Sequence, residues 1–217
     1  MTFDWGYAWE ILPAILRGAV VTIKLGLAIY AVALVGGLIL AVVRLALTPA
    51  LAHAVDQFTS FIRTTPPLIQ LYVPFFILPQ YGIVLSAEVT GVAVLGLHLA
   101  TFTSEVYRAG IEAVPRTQWE AAIAIGLDPR RTWMRIILPQ AARKVVPPLG
   151  NYLIGTIKSV PYLAVISVQD MLGTALNEAS LSFRYYEPIA LVGALYLVMS
   201  LIAAELVRFV ERRYAAV

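Results

Sequence analysis

Leu25 to Val43 is a run of nineteen residues without a charge, ended by Arg44. A helix needs about 20 apolar residues to cross the hydrocarbon core of a bilayer. In lipid every backbone N–H and C=O must be satisfied within the segment, so such a run is restricted to a helix. Composition extends the constraint to the rest of the chain. Apolar residues make up 60% of 217 and charged residues only 13%, against roughly 45–50% and 25% in soluble domains. That leaves too little polar surface to cover a soluble globule. The expected fold is an all-α membrane protein of one domain, 1–217, with five spans at roughly 20–43, 64–87, 89–110, 143–169 and 188–207.

Local signals refine the spans. Met1 to Glu10 is polar-aromatic and lacks the basic start of a cleavable signal peptide; Trp5, Tyr7 and Trp9 read as interfacial anchors. Gly36-Gly37 allows close helix contact within the first span. Residues 45–63 read as a moderately polar connection. Pro66, Pro67, Pro74 and Pro79 fall inside the second uncharged run. Interior prolines remove backbone bonds, so this span should be kinked and face protein or a cavity. Residues 170–187 are polar and aromatic. Cysteine is absent, which excludes disulfides and thiolate metal sites.

Charge sets the orientation. Twelve cations (Arg44, Arg63, Arg108, Arg116, Arg130, Arg131, Arg135, Arg143, Lys144, Arg208, Arg212 and Arg213) fall on the side of the first-to-second and third-to-fourth connections and the C-terminus. Arg17 and Arg184 fall on the other. Cytoplasmic loops carry the excess of lysine and arginine, which places the N-terminus outside and the C-terminus in the cytoplasm.

The longest charged, non-spanning segment is Thr117 to Pro139, within a loop at 115–139. Thr117 and Glu120 have capping-box spacing. Good or adequate helix formers follow, and Gly126 stands where a helix wants a left-handed last residue. Asp128 with Pro129 starts a second helix, which Arg130, Arg131 and Arg135 decorate. Two short helices joined at a glycine elbow are expected, a shape suited to being gripped.

The order Glu120-Ala121-Ala122, three residues, Gly126, then eleven residues to Leu138-Pro139 resembles the EAA loop of permease subunits in ABC importers. Phe61-Ile62-Arg63-Thr64-Thr65-Pro66-Pro67-Leu68 is similar to the Arg-Gly-Thr-Pro segment of the histidine/glutamine type of polar amino-acid permeases, with Thr64 replacing glycine. Glu105, Arg108 and Glu112 resemble that family's Glu-x-x-Arg-x-x-x-Glu run, and Leu138-Pro139-Gln140-Ala141 and Pro147-Pro148-Leu149-Gly150-Asn151 also match. The resemblance covers Phe61 onwards; before that, only span placement agrees. It implies the type I ABC importer permease fold in the bacterial inner membrane. It also implies a second permease subunit (same or different), cytoplasmic ATPase subunits and an extracytoplasmic solute-binding protein. It carries coupling to the ATPase onto Glu120, Ala121, Ala122, Gly126, Leu127 and Asp128.

Chemistry within the chain is sparse. No phosphate-cradling Gly-x-x-x-x-Gly-Lys-[Ser/Thr] stands at Lys24, Lys144 or Lys158, so ATP and Mg belong to a partner and the chain needs no cofactor of its own. His53 and His98 have no ligand cluster near them, so no metal is expected. No nucleophile–base pair with workable spacing stands out, and no enzyme activity is expected. Nor is a nucleic-acid partner; membrane lipid is. Gln70, His98, Asn151, Lys158, Ser159 and Tyr162 are candidates for the substrate path, with His98 read mainly as a hydrogen-bonded interior residue. Lys158 is read either as cavity-facing or as snorkelling from a span end. After Lys158 the family has hydroxyl residues, whereas here Ser159-Val160-Pro161-Tyr162-Leu163 follow. The resemblance implies a polar amino acid or a related zwitterion as the solute, and this departure raises compatible solutes such as ectoine as the alternative. A stand-alone channel or secondary transporter would have no use for the loop.

Overall fold

The computed structural model describes residues 3–46 and 48–215, and among them only helices and connecting turns occur. The first helix, α1 (Trp5–Ala46), has 42 residues. At 1.5 Å per residue it is about 63 Å long, twice the hydrocarbon thickness. The expected first span, 20–43, is thus only the second half of a longer helix. Pro13 does not end it, and the Tyr7 and Ala8 N–H groups already donate to Asp4 at its start. α2 (Pro49–Thr64) replaces the expected connection at 45–63; Pro49 presets its first turn. α3 (Pro67–Tyr72) continues as a π turn (Val73–Ile77) and a 3-10 turn (Leu78–Tyr81). The α2–α3 pair bends by 101° at Thr65-Pro66, the kink that the prolines led us to expect.

α4 (Ala87–Glu112) follows, capped by the Ser86 hydroxyl, and matches the expected third span. After it come α5 (Arg116–Ala124), α6 (Pro129–Thr132), a π turn (Trp133–Ile137) and α7 (Leu138–Ser159). α6 is thus not a separate short helix but the first turn of one helical run into α7. A 3-10 turn (Val160–Ile166) ends that run, α8 (Met171–Ser182) replaces the expected polar connection, and α9 (Tyr186–Ala215) closes the chain. Asp170 caps α8: its Oδ1 accepts from the Gly173 N–H at 2.8 Å and its Oδ2 from the Tyr196 hydroxyl at 3.3 Å. Three helices, α1, α4 and α9, are long and apolar enough to cross a membrane, and the bent α2–α3 pair makes up to four. α7 has the length of a span, about 33 Å, but carries Gln140, Arg143, Lys144, Asn151 and Lys158.

Two apolar clusters hold the bundle together. Leu25, Ile29, Leu71, Leu95, Val160, Leu163, Ile166 and Val168 join α1, α3, α4 and the 3-10 turn. Ile11, Ile15, Ala19, Met171, Ala175 and Val192 join the first half of α1 to α8 and α9. The overhanging start of α1 is therefore packed, not free. Tyr7 is correspondingly not an interfacial anchor: its hydroxyl donates to Ser182 Oγ at 2.7 Å and its ring lies under Arg184. Trp5 and Trp9 are the exposed pair. Arg184 also donates to Asp4 at 2.8 Å. That hydrogen bond, with the Tyr7 N–H, holds the Asp4 carboxyl below its ordinary range.

α1 and α4 approach so closely that Gly37 has no room for a side chain. A Cβ there would lie 3.0 Å from the Ala100 carbonyl and the Ser104 nitrogen and would collide with Thr103 Oγ1. Thr103 donates across the seam to the Ala33 carbonyl at 2.7 Å. This confirms the close contact expected at Gly36-Gly37. Gly37→Leu should force the helices apart, at a cost of about 1–3 kcal/mol. Thr103→Val removes only the hydrogen bond and should cost about 0.6 kcal/mol. Thermal unfolding in detergent checks the order; equal midpoints for Gly37→Leu and the parent would refute the tight seam.

Candidate coupling loop and polar path

α5 begins at Arg116 with Pro115 before it, and no side chain caps it. The expected Thr117–Glu120 capping box is therefore not formed. Pro115 fixes the entry geometry in its place, which puts Thr117 already inside the first turn. The end of α5 agrees with expectation. Gly126 has φ +69°, a conformation costly for side chains with a Cβ. Its N–H donates to the Ile123 carbonyl at 2.9 Å, and the Leu127 N–H donates to the Ala122 carbonyl at 3.0 Å, which together satisfy the last carbonyls of the helix. Asp128 caps the next helix, its Oδ1 accepting from the Arg131 N–H at 3.0 Å.

What fixes α5 in place is aromatic. Trp119 meets Trp133 edge-to-face, with ring centroids 5.1 Å apart and planes at 83°, within the cluster of Val114, Ile137 and Ala141. Ala122 is fully buried on that side. Glu120, Ala121, Ile123, Ala124 and Ile125 face outward, with Ile123 75% and Ile125 71% exposed. Two bare isoleucines on a short polar loop are the feature that reading them as helix formers misses. They stand at the expected partner face; Ala122 does not.

At the C-terminal end of α4, Glu105 gathers three arginines from three helices: Arg108 at 2.7 Å, Arg44 at 2.9 Å and Arg63 at 3.5 Å. Arg44 also reaches Asp56 at 2.8 Å, and Arg108 reaches Glu112 at 2.8 Å. The expected intrahelical Glu105–Arg108 pair is thus part of a larger network.

The substrate-path candidates fall into two groups. Gln70 and His98 come together, with His98 Nδ1 3.2 Å from Gln70 Oε1. Gln70 Nε2 donates to the carbonyls of Ile62 at 2.6 Å and Thr65 at 2.8 Å; Pro66 leaves the first without its helical donor, and the Ile69 N–H bonds Pro66 instead of the second. Both donors of Gln70 are thereby committed to the break. The other four lie along α7 and the turn after it. Ser159 Oγ donates to the Thr156 carbonyl at 2.8 Å. Asn151, Lys158 and Tyr162 are exposed, and among the described residues no hydrogen bond or ion pair joins them to the Gln70–His98 pair.

Residues 33–216 match the family of binding-protein-dependent transport system inner membrane components. The chain belongs to this family. It is 40% identical over 97% of its length, and 93% of the relative's, to a probable amino-acid ABC transporter permease protein of Sinorhizobium fredii. It is 30% identical to the arginine transport system permease protein of Bacillus subtilis, covering 98% of both chains, and 31% identical to the octopine transport system permease protein of Rhizobium radiobacter, covering 97% and 90%. Among solved structures, an amino acid ABC transporter with histidines superposes with a TM-score of 0.92 at 30% identity, over 98% of this chain and 100% of that one. A methionine ABC transporter in an inward-facing conformation shares the fold at a TM-score of 0.76 and 17% identity.

The permease fold gives a packing reason for one departure from the family pattern. Val160 is fully buried in the core cluster with Leu25 and Ile29, so its apolar character there serves the core. Only Tyr162 of that segment remains exposed as a candidate for contact with solute, at 42%.

Trp119→Ala should leave the bundle folded and release α5. Local opening then controls protease access, so trypsin should cut after Arg116, Arg130 or Arg131 about tenfold faster. Unchanged cleavage rates would show that α5 is held by something other than the tryptophan pair.

Proposed function

We propose that this chain is the membrane-spanning subunit of an ATP-driven importer for a polar amino acid or a related zwitterion, with α5 as the element that carries force from the ATPase. The observation that carries the reading is the geometry of α5 in a chain of this family. One side of α5 is fixed to the bundle through Trp119 on Trp133. The other side presents Glu120, Ala121, Ile123 and Ile125 outward. The α6–α7 run then makes a direct rod from the Gly126 elbow to the middle of the bundle. A partner that moves α5 moves α7 with it.

Five crossings complete the proposal: α1, the bent α2–α3 pair, α4, α7 and α9, with α7 shielded from lipid by its neighbours and by a second permease subunit. α5 lies on the cytoplasmic side, where the arginine excess places it, and α8 lies outside, facing a solute-binding protein. The chain performs no chemistry; ATP and Mg stay with the ATPase. The names of the amino-acid, arginine and octopine permeases above support an amino-acid-like solute. A compatible solute such as ectoine is the second reading, favoured by the exposed Tyr162 ring after Lys158.

Gly126→Val places a branched side chain at φ +69° and should misplace α5 against its partner. Membrane insertion should be near normal, while co-purifying ATPase and uptake both fall by about tenfold or more. Normal uptake with the ATPase firmly bound would remove α5 from the coupling role. Orientation has its own check. A reporter active only outside the cytoplasm should work when fused at Asn177 and fail at Arg130; the reverse pattern would overturn the five-crossing arrangement.

A further inference from the structure

Between α4 and α7 lies a cavity of about 370 Å³ whose walls include Arg63, Phe102, Glu105, Lys144, Pro148 and Tyr152. Its volume is at the lower end of the range for small-molecule sites, and its mix of apolar walls with a few charged groups is typical of them. It sits directly below the Gln70–His98 pair along α4. His98 stacks near Phe102 at 5.3 Å, and Phe102 faces Tyr152 at 6.4 Å. Four residues of helix separate His98 from Phe102, a rise of about 6 Å, and Glu105 lies one turn further.

The electrostatics of this cavity are unbalanced. Glu105 is the one carboxylate in its wall, and its oxygens are already taken by Arg44 and Arg108 at 2.9 and 2.7 Å. Arg63 reaches Glu105 only at 3.5 Å, on the oxygen that Arg44 holds more closely. Lys144 lines the same cavity exposed, and among the described residues it has no ion pair. Counting the whole cluster, Arg44, Arg63, Arg108 and Lys144 face Asp56, Glu105 and Glu112. One cationic charge is left without a counterpart, and it belongs to the two side chains that face the cavity. A guanidinium from α2 and an ammonium from α7 lining one cavity suit one carboxylate, which the guanidinium can hold through two parallel hydrogen bonds.

We propose that Arg63 and Lys144 form a carboxylate subsite on the cytoplasmic side of the path, which holds the solute's carboxylate after it leaves the Gln70–His98 level. Phe102 and Tyr152 line the apolar wall for the remainder of the molecule. The subsite rests on the amino-acid reading above, and the test separates the two. First, the complex of permease, ATPase and solute-binding protein is reconstituted in liposomes and its ATPase activity measured with each of the twenty standard amino acids and octopine. If none stimulates hydrolysis, the amino-acid reading fails and the subsite fails with it.

The strongest stimulator, radiolabelled, is then the probe for the nucleotide-free permease–ATPase complex without its binding protein, measured by scintillation proximity. Saturable binding is expected, with competition by the unlabelled acid and not by its carboxamide. Lys144→Gln should weaken binding about tenfold, as expected for one hydrogen bond to a charged group, and Lys144→Arg should restore it. Lys144 is exposed, so neither change threatens the fold; Arg63→Gln is the second variant, with the same expected direction. Absence of binding at 10 mM (roughly the weakest affinity a single charged contact gives) would overturn the subsite while leaving the amino-acid reading intact. So would equal affinity in the parent and Lys144→Gln, or equal competition by the carboxamide.

Discussion

Everything in this molecule depends on satisfying backbone polar groups where water is scarce. Helices do so internally, and the chain departs from them at few places. The sharpest departure is at Thr65-Pro66, where the chain turns by 101°. There Gln70 donates both amide hydrogens to the carbonyls of Ile62 and Thr65. Its remaining oxygen lies against His98, so the repair of the break also fixes the position of an imidazole on α4. A second departure, after Ser159, is covered differently. Its 3-10 turn buries Val160, Leu163 and Ile166, and Thr22 on α1 accepts from the Met171 N–H at 3.0 Å just beyond it.

Stiffness follows from the same economy. α1 and α4 meet at Gly36 and Gly37 with almost no side-chain volume between them, so dispersion contacts and the Thr103–Ala33 hydrogen bond can act over a short distance. The first half of α1 reaches past this seam to α8 and α9. One long helix therefore connects the two faces of the bundle. Beside this seam on α4, Glu105 ties α1 and α2 to the same rod. α5 and α6 lead into α7, which packs on α4 and α9.

The charged network at Glu105 has an electrostatic consequence as well. Partly exposed ion pairs stabilise little one by one, and here Arg44, Arg63 and Arg108 are matched in number by Asp56, Glu105 and Glu112. Lys144 at the start of α7 adds one further positive charge beside them. The network that anchors three helices is thus neutral by itself, and the excess positive charge of this wall comes from Lys144 beside it.

The sequence by itself determined the class. Apolar runs and sparse charge admit only a membrane helix bundle, prolines mark the break at residues 65–67, and Gly126 and Asp128 mark the elbow, because each of these is a local rule acting on neighbouring residues. The tertiary structure decided what depended on distant partners. α1 continues back to Trp5 because α8 and α9 cover its first half, and no local signal for that exists. The capping box at Thr117 gave way to Pro115, since a proline-fixed entry and the Trp119–Trp133 contact set the helix start first. Gln70 could be read as polar from sequence, but not as the donor that repairs a proline break five and eight residues away. Arg63 and Lys144 lie eighty-one positions apart in the chain and share a cavity only because α2 and α7 both pack on α4.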